Sequence, residues 1–402
     1  MFSVSNCVHT IRRNKTKSII GILVTGMMVI LFQIYIGNME SVAAQLRQLP
    51  EVMPVYCYIS NLNGTQRTGL EIKGEIYHSI AESEHVKGMK SRLSLLGGIG
   101  KFSLEEAQDK LNLSIMAVND ITAFREKIAA SVKMERDKDI WFLKENEPYC
   151  IVGEGLMEQM DWKIGDTIPL NLYYYQHLDY NGLDIKPLAL QEYRIVGSME
   201  ETMSEYMEEV QILVPLSSVE ALFQKGNIPF YVDALSFYVK NPALLNACKE
   251  EMESYSLLPV MPKADFSTDG NALNCKDTTF IAAATALRQQ EELLRGFLPM
   301  VIAMILAIGY IISTLLMQSR KQEYRLMRMI GLTKGRVTSL FFMEQCILSL
   351  CGALIGMAVN FMVWDIQVSV WAAAGGLCIS YCLGCLLALM GISRRSIMEN
   401  RI

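Results

Sequence analysis

Histidine is nearly missing from this chain: His9, His78, His85 and His177 are the four in 402 residues. Zinc sites and acid–base relays lean on imidazole, so few positions are open to either chemistry. His78 and His85 stand seven apart with Glu82 and Glu84 nearby. On one helix they would make a loose metal patch; the plainer reading, a solvated charged face, is preferred. No Gly-x-Ser-x-Gly elbow occurs. Gly331-Leu332-Thr333-Lys334-Gly335-Arg336 lacks the spacing and the Lys-Ser/Thr ending of a phosphate-cradling loop. No catalytic residue, metal ligand or cofactor is therefore assigned to this chain, and it is not expected to hydrolyse ATP. Positive charge is also short, with 24 basic against 38 acidic side chains over residues 19–317. That balance argues against nucleic acid as a partner, and the acidic surface is read as solubility rather than as a cation site.

What the chain has in excess is apolar length. Half of it is hydrophobic, 51%, while 20% is charged, so it should divide into membrane spans and a water-exposed region. Ser18–Ile36, Phe297–Met317 and Val368–Ile392 are uncharged, and Val337–Val363 holds only Glu344. Each is about as long as the roughly 20 residues a helix needs to cross hydrocarbon, so four spans are expected, at 18–37, 297–317, 337–363 and 368–392.

Lys and Arg in the flanks orient them. Arg12, Arg13, Lys15 and Lys17 precede the first span; Arg320, Lys321, Arg325, Arg328, Lys334 and Arg336 lie between the second and third; Arg394, Arg395 and Arg401 follow the fourth. Trp364 and Asp365 mark a short turn with no basic neighbour. Residues 1–17, 318–336 and 393–402 are accordingly expected inside the cell, and 38–296 outside. A basic flank, an apolar run and Ser41-Val42-Ala43 also resemble a cleaved signal peptide. The run is longer than such a core and Glu40 crowds the cut, so a retained anchor is preferred.

The external segment reads as mixed α+β. Residues 38–49 and 278–295 carry helical periodicity and extend the first and second spans as a stalk, with Pro50 ending the former. Strands are expected at Val52–Ser60, Leu111–Val118, Tyr149–Val152, Thr167–Tyr174, Tyr193–Gly197, Val210–Pro215 and Ala234–Lys240. Helices are expected at Ile121–Val132, Glu154–Met160 and from Asn241-Pro242 to Tyr255. Two subdomains are expected, the second near 140–230. Cys57, Cys150, Cys248 and Cys275 are external and allow two disulfides in three connectivities, or free thiols. Cys346, Cys351, Cys378, Cys382 and Cys385 lie in spans as packing residues, and Cys7 lies inside.

Gln322-Glu323-Tyr324-Arg325-Leu326-Met327-Arg328-Met329-Ile330-Gly331, Glu344 thirteen residues later, then Gly352 and Gly356 resemble the C-terminal region of FtsX-like or MacB-like ABC transporter permeases. Glu323, Arg328, Gly331, Glu344, Gly352 and Gly356 each match a family position, whereas Tyr324 and Arg325 replace the usual Ile-Gly. Ile151–Leu156, Ile164–Ile168 and Arg194–Gly197 are similar to pieces of the MacB-type periplasmic core domain, and residues 60–110 match nothing in it. The resemblance implies a bacterial plasma-membrane permease with four helices, one and then three, and a large extracytoplasmic α+β domain on a helical stalk. It also implies a separate cytoplasmic ATPase subunit that holds ATP and Mg, and a second permease copy or sister permease. Family members expel peptides, lipids, lipoproteins or antimicrobials; alternatively, they activate an extracellular partner such as a cell-wall hydrolase.

The residues have roles of their own. Glu323, Arg325, Leu326, Arg328, Met329 and Gly331 form a short amphipathic segment that can dock on the ATPase, where the plainer reading is a basic segment on anionic lipid. Glu344, costly inside a span, either latches to Arg328 or Arg336 or reaches back to water. Gly352 and Gly356 permit close helix approach.

Overall fold

The computed structural model describes residues 15–102, 110–123, 132–134, 147–178, 182–200, 202–203, 209–265, 270–363 and 375–389. His9, Cys7, Arg12, Arg13, most of the expected 121–132 helix, the Trp364-Asp365 turn and Arg394, Arg395 and Arg401 lie outside them. The chain forms two compact units, one of Met1–Leu49 with Ala282–Ile402 and one of Pro50–Ile281.

The first unit is helical. Its opening helix, α1 (Lys15–Val52), runs unbroken through the expected stalk residues. Pro50 falls in its last turn and does not end it, because proline disturbs only the bond and the space of the turn before it. Three described helices are long and apolar enough to cross a membrane: Ser18–Val52, Thr278–Gln318 and Gly335–Met362. The fourth expected span is described only as a 15-residue apolar helix, Gly375–Leu389. At 1.5 Å per residue that piece covers about 22 Å, less than the roughly 30 Å hydrocarbon core.

The second unit is built on one 11-stranded sheet. In chain order come β1 (Tyr56–Asn61), β2 (Ile72–Lys73), α2 (Gly74–Glu82), β3 (Val86–Ile99), β4 (Leu113–Val118), β5 (Lys133–Met134) and β6 (Tyr149–Gly153). They are followed by α3 (Glu154–Met160), β7 (Thr167–Leu178), β8 (Gly182–Met199), β9 (Thr202–Met203), β10 (Glu209–Val210), β11 (Ile212–Pro215) and α4 (Leu216–Lys225). The unit closes with β12 (Tyr231–Val232), β13 (Ala234–Val239), α5 (Leu245–Ser254), β14 (Leu258–Pro259) and β15 (Asn271–Lys276). Asn241 caps a short 3-10 turn, Pro242–Leu244, before α5, so the helix starts three residues later than its sequence signal.

Six of these strands close on themselves. β3 pairs with β4, β4 with β11, β11 with β6, β6 with β8, β8 with β7, and β7 again with β3. Closure leaves no free edge among the six, and β4, β6, β11 and the end of β8 are buried almost throughout. Met116, Val118, Ile151, Val196, Met199, Val210 and Leu213 fill one cluster, while Ile115, Cys150, Ile195, Ile212 and Val214 are buried as well. β3, 14 residues long, also serves a second row, because its first half pairs with β13 and the order continues β13-β1-β15-β14. The closed ring and the second row share one sheet, with β3 common to both.

Cys57 on β1 and Cys275 on β15 are directly opposed and form a disulfide across 218 residues. Cys150 and Cys248 are free and buried, so one bridge is present where two were allowed. Burial pushes the Cys150 thiol well above its usual range, and burial followed by the nearby Glu251 carboxylate raises Cys248 to about 11. Both stay protonated and unreactive at neutral pH.

The disulfide closes a long loop, so replacing Cys57 and Cys275 by Ser should lower unfolding stability by about 2–5 kcal/mol. The Cys150→Ala change, which removes no cross-link, should not reproduce that loss of loop restraint. Urea unfolding of the micelle-bound chain with and without reductant measures it: reductant should destabilise the parent protein and leave the double variant unchanged.

Candidate functional site

The basic loop becomes a helix held between two larger ones. Thr278–Gln318 forms α6, Lys321–Met329 forms α7, Lys334–Val363 forms α8, and Gly375–Leu389 is α9. Lys and Arg end the apolar run of α6, and the chain turns at Ser319 and Arg320, where Arg320 stands at the N-terminal cap of α7. At the other end Gly331 adopts φ +95°, open to glycine at little cost. Its N–H donates to the Arg328 carbonyl (3.1 Å) and that of Leu332 to the Met327 carbonyl (3.3 Å). This is a Schellman termination, and Leu332 and Met327 pack against the same apolar cluster.

α7 is two-faced. Tyr324 and Met327 pack inward against Met317, Val337, Phe341 and Leu389. Leu326, Met329 and Ile330 point outward and are 53%, 74% and 80% exposed. Arg325 and Arg328 are exposed beside them, with Arg328 Nη1 donating to the Leu332 carbonyl at 3.0 Å.

Arg320 ties α7 to α8. Its Nη1 donates to both carboxylate oxygens of Glu344, at 2.6 and 2.7 Å, and both side chains are 6% exposed. Its Nε lies 3.3 Å from Glu323, one turn into α7. The guanidinium also sits 5.7 Å from the Phe341 ring centre, within cation–π range. Glu344 thus latches to Arg320 and not to Arg328 or Arg336. Arg320 directly follows the uncharged run of α6, so it is the loop cation set deepest toward the buried carboxylate, and that position is the sequence signal for the pairing.

The matched glycines sit on the far side of α8, against α1. A Cβ on Gly352 would strike the Thr25 hydroxyl and come within 2.8 Å of the Ile22 carbonyl, and one on Gly356 within 2.8 Å of the Gly26 carbonyl. Farther along the same pair of helices Asn360 donates to Gln33 at 2.5 Å, both side chains buried. Sequence reading missed this Gln33–Asn360 bond, although each is the lone amide in its neighbourhood of an apolar run. α6 and α9 approach in the same manner, where a Cβ on Gly309 would lie 3.0 Å from the Tyr381 carbonyl. The span cysteines pack, with Cys346 and Cys382 sulfurs 3.7 Å apart.

Among the described residues no cluster of His, Cys, Asp and Glu is suited to a metal. His78, on α2, contacts Glu220 at 2.8 Å, whereas His85 lies beyond the end of α2, so the two do not share a helix face.

Residues 296–397, which include most of α6 and all of α7, α8 and α9, match the family described as FtsX-like permease C-terminal. No curated protein matches the chain. Solved structures similar to it include the periplasmic region of MacB from Actinobacillus actinomycetemcomitans, at 10% identity and TM-score 0.33, covering 56% of this chain and 91% of that one. A second is the extracellular domain of the noncanonic ABC-type transporter YknZ from Gram-positive bacteria, at 9% identity and TM-score 0.32, covering 55% and 99%. A third is a domain of a permease protein from Porphyromonas gingivalis, at 14% identity and TM-score 0.28, covering 55% and 86%.

Removing one member of a buried pair leaves the other charge without its partner, so Arg320→Ala or Glu344→Ala should each destabilise the helical unit by about 3–5 kcal/mol. The double change Arg320→Met with Glu344→Leu should recover most of that loss. Thermal unfolding in micelles reads the difference, and equal damage from single and double variants would contradict the pairing.

Proposed function

We propose, from the premise that residues 296–397 are an FtsX-like permease C-terminal region, that this chain is the membrane subunit of an ABC system and that α7 is the input from a separate ATPase. The observation that carries the reading is the division of α7 into a locked face and an open one. Glu323 and Arg320 hold it to Glu344, while Leu326, Met329 and Ile330 stay exposed. A short helix with an apolar ridge flanked by Arg325 and Arg328 suits a groove on a protein, where apolar burial supplies affinity and charge sets register. Three apolar side chains left uncovered by the chain itself gain from a partner that buries them.

In this reading the basic loop and both termini are cytoplasmic, four helices span a bacterial plasma membrane, and Pro50–Ile281 lies outside. Two permeases, identical or sister, engage two ATPases, which hold ATP and Mg. Closure of the ATPases displaces α7, and α8 follows through the buried ion pair. α1, at 38 residues, and α6, at 41, extend about 57 and 62 Å and so exceed the bilayer core in length. Each passes from its apolar run into external sequence as one continuous helix, with Pro299 inside α6, which suits the transfer of motion outward rather than passage of cargo between helices. The output is export or extrusion of a peptide, lipid or antimicrobial substrate.

Replacing Leu326, Met329 and Ile330 together by Ser should weaken binding of the cognate ATPase about thirtyfold or more. It should abolish stimulated ATP hydrolysis without moving the melting midpoint of the permease. Nanodisc co-sedimentation and phosphate release measure the two, and unchanged coupling would sink the assignment.

A further inference from the structure

One face of the sheet formed by β15, β1, β13 and β3 carries an ordered set of tyrosines and cations, open at Tyr238, Lys87 and Lys276 and closed at Tyr58, which is buried. Strand register places Lys276, Tyr56, Tyr238 and Lys87 side by side across the four strands. The next row on the same face reads Asn274, Tyr58, Ser236 and Lys90. The rings confirm a shared face, with Tyr56 centred 5.3 Å from Tyr238 and 6.0 Å from Tyr58. Arg67 lies 4.1 Å over the Tyr58 ring, and Lys276 Nζ is 5.9 Å from that of Tyr56. Arg67, Lys87, Lys276 and Tyr238 are exposed.

This row is built by a bulge. Ser236 faces Lys90 and Tyr238 faces Lys87, so β3 holds one extra residue between them. Gly88 takes φ +59° there, the left-handed position of a glycine bulge. In a regular ladder Tyr238 would face Gly88; the bulge brings a cation instead. None of the eight positions is acidic, although the chain carries 42 acidic against 37 basic residues. The platform is basic in a chain that is acidic overall.

We propose that this face binds an anionic glycan: sugar rings lie on Tyr56 and Tyr238, carboxylates or phosphates meet Lys87, Lys276 and Arg67, and Asn274 and Ser236 take hydroxyls. Charge complementarity selects the anion. A second copy of this chain is disfavoured, since a two-fold contact would set Lys87, Lys90 and Lys276 against themselves. An extended peptide has no strand to join, because β1, β13 and β15 are each paired on both sides. The inference stands apart from the coupling mechanism.

The test uses the full chain in micelles with no ATPase present, so its failure leaves the coupling reading intact. Polygalacturonate, neutral dextran and polyglutamate at matched charge are titrated by calorimetry. Polygalacturonate should bind, with affinity falling as salt rises, and the other two should bind at least about tenfold more weakly. Tyr56→Ala with Tyr238→Ala should weaken it about tenfold, and Tyr238→Phe should retain it. If the alanine pair lowers the melting midpoint, Lys87→Gln with Lys276→Gln takes its place, with the same loss expected. Absence of polygalacturonate binding, equal binding of polyglutamate, or insensitivity to the folded variants overturns the proposal.

Discussion

A carboxylate cannot be set inside an apolar helix bundle without a partner, and the arrangement of the whole helical unit follows from how Glu344 meets that requirement. Arg320 supplies both bonds, and because it stands between α6 and α7 it fixes where one ends and the other begins. Desolvating two charges is expensive, so such a pair is weak evidence of stability and better evidence of a specified geometry. Here the geometry is the angle at which α7 leaves the bundle. The third member, Glu323, shares the same guanidinium, so α7 is held from its first turn as well as at its cap.

From that pair a continuous series of contacts leads to α1. Lipid gives helices no hydrophobic reason to associate with one another, so close backbone approach and a few polar bonds must do it. α8 meets α1 at Gly352, Gly356 and Gly26 and again at Asn360 and Gln33, while α6 meets α9 at Gly309 and Gly384. Each pair is therefore closely matched, and the side chains facing away from them, such as Leu23, Met304, Leu354 and Leu383, are apolar and exposed as a lipid boundary requires. α7 is joined to α8 by a buried ion pair, and α8 to α1 by interlocked glycines. Both links resist sliding more than a surface of loosely packed leucines would.

The parts legible in the sequence were those set by local pattern. Uncharged or nearly uncharged runs marked the three helices long enough to cross a membrane, and a lone acid in one of them marked Glu344. Alternation found β4, β6, β13 and the start of β7, and the Asn241-Pro242 signal found the approach to α5. The parts that were not legible depend on distant pairing. Nothing near Cys57 indicates that Cys275 lies opposite it across 218 residues, nor that β7 returns to β3 and closes a ring. The β7–β8 ribbon is longer than the two short strands expected, and β8 runs through Pro187, which sits where the ladder shifts register, the place in a strand where proline is tolerated. Arg320, rather than Arg328 or Arg336, meets Glu344 because depth in the bundle is decided by distance from the end of the apolar run.

The same contrast separates the two surfaces of interest. The ridge of Leu326, Met329 and Ile330 sits on one nine-residue helix and its C-terminal cap, so its character is written in nearby residues and could be read directly. The platform draws its two rows from β1, β3, β13 and β15, spanning residues 56 to 276, and exists only once a bulge at Gly88 has set the register. A docking ridge needs only amphipathic periodicity, whereas a flat face of alternating rings and cations needs a sheet whose strands are already in place. Recognition outside the membrane would then depend on the integrity of that sheet, and the disulfide joining β1 to β15 covalently fixes two of the four strands that make it.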